Sequence, residues 1–308
     1  MPRPSVDVVV PFRGDRAHVE ELLNRLSGLR LRPGDSVVVV DNTPGREPDD
    51  ASVAERSASV LHAAERATPA FARNRGAALG TADWLVFFDA DTVPPPDLLD
   101  RYFEPLPAER TALLGGGVLD EAEAGRPGAI ARYQQLRGSM SQEDTYRYGK
   151  TWGYPKTANL ACRRTAFEAV GGFREEIRAA EDGDLTFRLR DEGWEFERRD
   201  RAVVVHLSRK TIHAFVAQKL MHGAGGAWLD RQYPGTWPAR ALPGLIWWAL
   251  RTASAGLLAA VWERNRDRAI WALLDPLDLI AWELGRSLPN ERPVPGQRRA
   301  SWLVERLP

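Results

Sequence analysis

The chain has 308 residues, with 42 Lys plus Arg against 42 Asp plus Glu. That length is ample for one large core, alone or with an appendage, and the balanced charge excludes a global field for nucleic acid or acidic lipid. A single cysteine, Cys162, excludes an internal disulfide framework and suits a reducing compartment. The start Met1-Pro2-Arg3-Pro4 lacks the apolar run of a signal peptide, so a cytoplasmic location is expected.

Val6-Asp7-Val8-Val9-Val10 predicts a first strand, stopped by Pro11. Asp15 is placed to cap a helix whose apolar face is Val19, Leu22, Leu23 and Leu26, an i, i+3, i+4, i+7 spacing. Residues 36–40 predict a second buried strand ending at Asp41-Asn42, and a polar loop then runs through Asp50. Ser59-Val60-Leu61 predicts a short third strand, and residues 69–79 a helix broken by Gly80. Trp84-Leu85-Val86-Phe87-Phe88 has the pattern of a strand buried on both faces. Strand–helix alternation of this kind implies right-handed parallel crossovers, and so a doubly wound nucleotide-binding unit.

The fourth strand runs straight into Asp89-Ala90-Asp91. Residues i and i+2 of an extended chain point the same way, and a turn can converge them. Two carboxylates that close repel unless a cation lies between them. Mg²⁺ or Mn²⁺ suits such a site, with substrate phosphates completing the shell. The plainer alternative is a pair of turn aspartates. Arg13 and Asp41 also follow strand ends, on the sheet edge where open α/β folds bind ligands. Asp41 suits a ribose or a base, and the Arg73 fork suits a diphosphate. The sequence contains no Gly-x-x-x-x-Gly-Lys-Ser/Thr, and no Gly-x-Gly-x-x-Gly follows the first strand. That argues against a P-loop enzyme or a dinucleotide dehydrogenase.

In the second half, residues 138–150 are polar, rich in turn formers, and predict a mobile loop. A short strand reaches Cys162, and a short helix follows, stopped by Gly171-Gly172. Glu181 and Asp182 open another helix, where an acid is stabilising by ~0.3–1 kcal/mol without any further role. The functional alternative makes Asp182 a general base, its pKa lowered by the helix terminus. His206 ends a valine-rich strand and is either a metal ligand or a hydrogen-bonded histidine. Arg209 and Lys210 are alternative phosphate grips. Trp152, Asn159 and Glu181 are assigned to the acceptor side.

Val8-Val9-Val10-Pro11-Phe12, Val39-Val40-Asp41-Asn42, Ala72-Arg73-Asn74-Arg75-Gly76, Phe87-Phe88-Asp89-Ala90-Asp91 and Gly171-Gly172-Phe173 with Glu181-Asp182 occur in one order. In that order they resemble family 2 glycosyltransferases of the GT-A fold, over roughly residues 5 to 210. The resemblance implies an α/β fold with a doubly wound, mixed but mainly parallel sheet. It also implies inverting transfer from a nucleotide-diphosphate sugar to an acceptor hydroxyl. It puts Pro11, Asp41 and Arg73 at the nucleotide, Asp89 and Asp91 at the metal and donor, and Asp182 as catalytic base. His206 matches a metal ligand of some GT-A enzymes. Phe12-Arg13-Gly14 departs from the usual Tyr-Asn, which clouds base contacts. The Gln-x-x-Arg-Trp signature of processive enzymes is absent, so single-sugar addition is expected. Two rival classes are a sugar-phosphate nucleotidyltransferase and a catalytically silent nucleotide-sugar-binding protein.

The expected organisation is a catalytic domain over residues 1–235, with a nucleotide-sugar half to about 110 and an acceptor half over 111–235. A helical segment over 236–308 follows. Residues 241–262 are long enough as a helix, ~33 Å at 1.5 Å per residue, to span a bilayer. A central Arg251, costing ~2.5–3.5 kcal/mol there, argues against it. Six of the eleven tryptophans lie beyond residue 240. An amphipathic hairpin over 241–284 is expected, packed on the catalytic domain or lying on the inner face of the cell membrane.

Overall fold

The computed structural model of the chain describes residues 3–46, 58–121, 127–207 and 211–291. Strands β1 (Val6–Phe12) and β2 (Ser36–Asp41) pair in parallel, with Phe12 opposite Asp41. β3 (Ser59–His62) extends the sheet beyond β2, and β4 (Trp84–Phe88) pairs in parallel with the other side of β1. Helices α1 (Arg16–Leu26) and α2 (Pro69–Ala77) are the crossovers. Asp15 caps α1 by accepting from the His18 N–H, and the four predicted apolar residues are its buried face. Thr68 caps α2, whose first turn holds Pro69.

Beyond β4 the sheet turns antiparallel. β7 (Asn159–Arg163) pairs with β4 and with β6 (Thr111–Glu121). The outer strands are β8 (Glu195–Leu207) and β5 (Thr92–Val93), giving the order β3-β2-β1-β4-β7-β6-β8-β5. All of β4 is buried. Val8, Val10, Val86 and Phe88 face one apolar layer with α1, while Val9, Leu85 and Phe87 face the other with α2. α3 (Leu98–Tyr102) and α7 (Arg164–Ala169) complete the edges near β8 and β7.

The predicted loop over 138–150 contains two short helices, α5 (Glu143–Tyr146) and the start of α6 (Gly149–Trp152). Buried Gln142 is the reason: its amide donates to the Lys156 and Asn159 carbonyls and accepts from the Lys156 N–H at 2.7 Å. α8 (Glu181–Asp191) then begins at the predicted acids, directly after Ala180, which holds the left-handed φ of 70°.

The described residues form two compact units. One lies within Met1–Asp120, Met140–Glu175 and Glu181–Leu207, and the other within Glu121–Ser139, Glu176–Ala180 and Ser208–Pro308. The second is helical: α4 (Ala129–Arg137), α9 (Ile212–Gln232), α10 (Leu242–Glu263) and α11 (Arg266–Gly285). α9 runs through Gly223 because α11 lies close against it. A Cβ there would sit 1.9 Å from the Trp282 carbonyl oxygen. Tyr133, Phe215, Ile270 and Leu274 pack together. Inside this apolar group Asp275 and Asp278 are neutralised by Arg137 at 2.9 Å and Lys219 at 2.8 Å. Among the described residues α10 is the one helix long and apolar enough, by length and composition, to cross a membrane. Its Trp247, Leu250, Leu258 and Trp262 are exposed.

Candidate active site

The stretch Ala72-Arg73-Asn74-Arg75-Gly76 divides its work among its residues. Gly76 lets α2 press on the sheet, since a Cβ there would lie 2.3 Å from Val9 Cγ1. Asn74 accepts from the Phe173 N–H at 2.9 Å and donates to the Phe173 carbonyl at 2.8 Å, holding the segment that leads toward α8. Arg73, 2 % exposed, is an internal bridge: its two terminal nitrogens donate to Asp89 Oδ1 and Glu181 Oε1, each at 2.8 Å. The end of β4 and the start of α8 are thereby joined.

Asp91 meets a second group. Antiparallel pairing of β5 with β8 sets Thr92 opposite His206, and His206 Nε2 lies 3.4 Å from Asp91 Oδ2. The other ring nitrogen, Nδ1, lies 3.0 Å from Asp120 Oδ1. Burial pulls the His206 pKa down, but hydrogen bonds to Asp120 and Asp91 outweigh it and push the value up to about 10. The bare ring is therefore a cation between two carboxylates. Asp120 was not singled out in the sequence. The signal available was the one that marks Asp41 and Asp89, an acid near the end of an apolar strand.

Among the described residues no group of three or more His, Cys, Asp or Glu side chains is arranged to hold a metal ion unaided. Asp89, expected to share a cation with Asp91, gives Oδ1 to Arg73. Asp91 and His206 are protein donors that face each other. One carboxylate and one imidazole fit a divalent cation that takes its other ligands from substrate oxygens and water.

Asp182 corrects one expectation. Burial first, and then neighbouring Glu181, push its carboxyl up to about 7. The Gly183 N–H, 2.8 Å from Oδ1, and Arg73 act in the lowering direction expected at a helix start, and they are outweighed. Asp89 is also pushed up, chiefly by desolvation, against the pull of Arg73.

Asp41 is buried at the end of β2; Oδ1 accepts from the Thr43 N–H at 2.9 Å and Oδ2 from Arg46 at 2.6 Å. Pro11 and exposed Arg13 stand at the neighbouring end of β1. Trp152 is partly exposed and packs edge-on against Phe187 of α8 at 5.3 Å, with the Arg190 guanidinium 5.1 Å from its ring centre. Asn159 does not reach this acceptor side as the sequence suggested. It is fully buried, accepting from the Tyr102 hydroxyl and donating to the Gly117 and Ala202 carbonyls, so it staples strands together. Arg209 and Lys210 lie outside the described residues.

A half-parallel, half-antiparallel sheet with acids gathered at one rim defines a GT-A architecture. Residues 7–171 match the profile of Glycosyl transferase family 2. The chain belongs to that family. Among its relatives, the Pre-mycofactocin glycosyltransferase of Mycobacterium tuberculosis (strain ATCC 25618 / H37Rv) is 30 % identical over 260 residues, 82 % of this chain and 54 % of that protein. The chain thus spans about half the length of that relative. The Succinoglycan biosynthesis protein ExoA of Rhizobium meliloti (strain 1021) is 24 % identical over 280 residues, 86 % of this chain and 82 % of that one. Among solved structures, the mannosyltransferase PcManGT from Pyrobaculum calidifontis, in complex with GDP-Man and Mn²⁺, aligns with a TM-score of 0.62 at 19 % identity. The alignment covers 92 % of this chain and 87 % of that one, a likeness of fold.

Proposed function

We propose that this chain is a glycosyltransferase that moves one sugar, with inversion, from a nucleotide-diphosphate sugar to an acceptor hydroxyl. The observation that carries the reading is the Asp89–Arg73–Glu181 bridge, which brings the acids after β4 and the base candidate on α8 into one site. The relative solved with GDP-Man and Mn²⁺ supports a nucleotide-sugar donor and a divalent cation. In the nucleotide-sugar half, to about residue 110, Asp41 takes the ribose or base, with Pro11 and Arg13 beside it. Arg73 sets Asp89 against the donor. In the acceptor half, residues 111–235, Glu181 and the Trp152–Phe187 wall orient the incoming hydroxyl.

Asp182 takes the acceptor proton as that oxygen bonds to the anomeric carbon. The bond from that carbon to the diphosphate breaks on the opposite face, and the nucleoside diphosphate leaves with the electron pair. Mg²⁺ or Mn²⁺, held by Asp91 and His206, would neutralise charge on the leaving diphosphate. Asp91→Ala should abolish transfer while leaving the circular dichroism spectrum and Tm near wild type. Undiminished turnover in that variant, or in excess chelator, would defeat the cation assignment.

The segment from residue 236, described as far as 291, works at the inner face of the cell membrane through 241–284. Exposed Trp247 and Trp262 lie toward the two ends of α10, and Arg264, Arg266 and Arg268 follow it. Binding to vesicles containing anionic lipid should fall at least about tenfold in a Trp247→Ser, Trp262→Ser double variant, roughly 1.4 kcal/mol. Equal binding by the variant and wild type would remove this reading.

A further inference from the structure

We infer that Asp120 is a positioning residue for the cation site: it keeps a proton of His206 on Nδ1, so that Nε2 is the nitrogen that gives up its proton and turns its lone pair to a cation beside Asp91. The inference rests on the proposal that Asp91 and His206 hold a divalent cation. Both side chains of the supporting pair are enclosed, His206 at 2 % and Asp120 at 1 % exposure. Asp120 uses both oxygens: Oδ2 accepts from the Met140 N–H at 2.9 Å, and Oδ1 lies 3.0 Å from His206 Nδ1. A carboxylate only accepts, so Nδ1 must be the donor. A histidine that donates one ring N–H to a carboxylate and ligates through the other nitrogen is a frequent outer-sphere arrangement of metal sites. The Met140 amide keeps the carboxylate from turning away.

That amide also makes the inference sharp. In Asp120→Asn the Met140 N–H still needs an acceptor, so the amide oxygen stays beneath it. The new NH₂ then faces His206 Nδ1, which must accept. The ring proton moves to Nε2 and points where the lone pair is needed. Asp120→Ala removes the director and leaves both tautomers open. The near-isosteric variant should therefore harm cation binding more than the truncation. A packing role gives the reverse order, because alanine loses both hydrogen bonds and volume.

The test is Mn²⁺ titration of the full chain, followed by the electron paramagnetic resonance signal of free Mn²⁺, alone and with saturating GDP or UDP. Asp120→Asn should weaken Mn²⁺ binding by about 10–100-fold. Asp120→Ala should weaken it less, and His206→Ala should remove the histidine contribution altogether. Asp120→Asn binding as tightly as wild type, or Asp120→Ala binding more weakly than Asp120→Asn, overturns the role of Asp120. Absence of Mn²⁺ uptake by wild type in every condition instead overturns the cation reading beneath it. Should either variant fail to fold, ¹⁵N spectra of the wild-type imidazole in saturating Mg²⁺ decide. Nδ1 must carry the proton and Nε2 must not; the opposite pattern ends the proposal.

Discussion

Asp182 keeps its proton at a pH where an ordinary aspartate has lost it, because burial and Glu181 both oppose ionisation. In its proposed role as base Asp182 must be ionised to accept a proton, so kcat/KM should rise with pH through about 7. Asp182→Asn should abolish that limb together with activity. Stability should move the other way. A folded-state pKa raised above the unfolded value stabilises the fold at low pH, and that contribution is lost as pH rises from about 4 through about 7. Asp182→Asn should therefore raise Tm relative to wild type at pH 8 and leave it near wild type at pH 4. An unchanged difference across that range would mean that Asp182 titrates normally. The place of Asp182 at a helix start was legible in the sequence, but its pKa was not. A helix start is visible in a sequence, whereas the desolvation that overrides it is made by residues far away in the chain.

At the scale of elements, α2 carries the largest difference between expectation and outcome. Its sequence suggested Arg73 as an open grip for phosphate, yet the guanidinium is already shared by two carboxylates. One of these, Glu181, lies 108 positions away, a separation that no local pattern encodes. Lysine at this position keeps the charge but has no planar fork to reach both partners. Arg73→Lys should therefore lower kcat/KM by at least about tenfold, equivalent to roughly 1.4 kcal/mol, with little change in far-ultraviolet circular dichroism. Retained kcat/KM would mean that a single point charge suffices. The valine-rich strands, the capped α1 and the buried β4 were all readable from period and composition. β5 was not, for two residues carry no period at all. Asp120 escaped notice because β6 runs through Gly115-Gly116-Gly117, and a glycine run carries no strand signal.

At the scale of the whole molecule, the sheet unit holds a second buried ion pair on the rim opposite the site. Arg164, just after β7, donates to Asp7 Oδ2 at 2.6 Å and to the Ala82 and Ala77 carbonyls at 2.6 and 2.8 Å. Asp7 also accepts from Ser36 and from the Ala82 N–H. This pair ties the starts of β1, β2 and β4 to the end of β7. Asp7→Ala would leave buried Arg164 with Glu168, 3.4 Å away, as its remaining carboxylate partner, and should cost about 3 kcal/mol in denaturant unfolding. The kcat of the molecules that remain folded should not change. A matching fall in kcat would mean that the two rims are energetically connected.

Because Arg164 and Arg73 serve opposite rims, the same kind of amino-acid change has two different biological meanings in this chain. Loss of Arg164 should lower how much protein a cell retains; Arg73→Lys should lower what each retained molecule accomplishes. A library of variants sorted in parallel for abundance and for product would separate into two sets along the strand axis. Natural drift would accordingly be policed by proteolysis at one pole and by metabolic demand at the other.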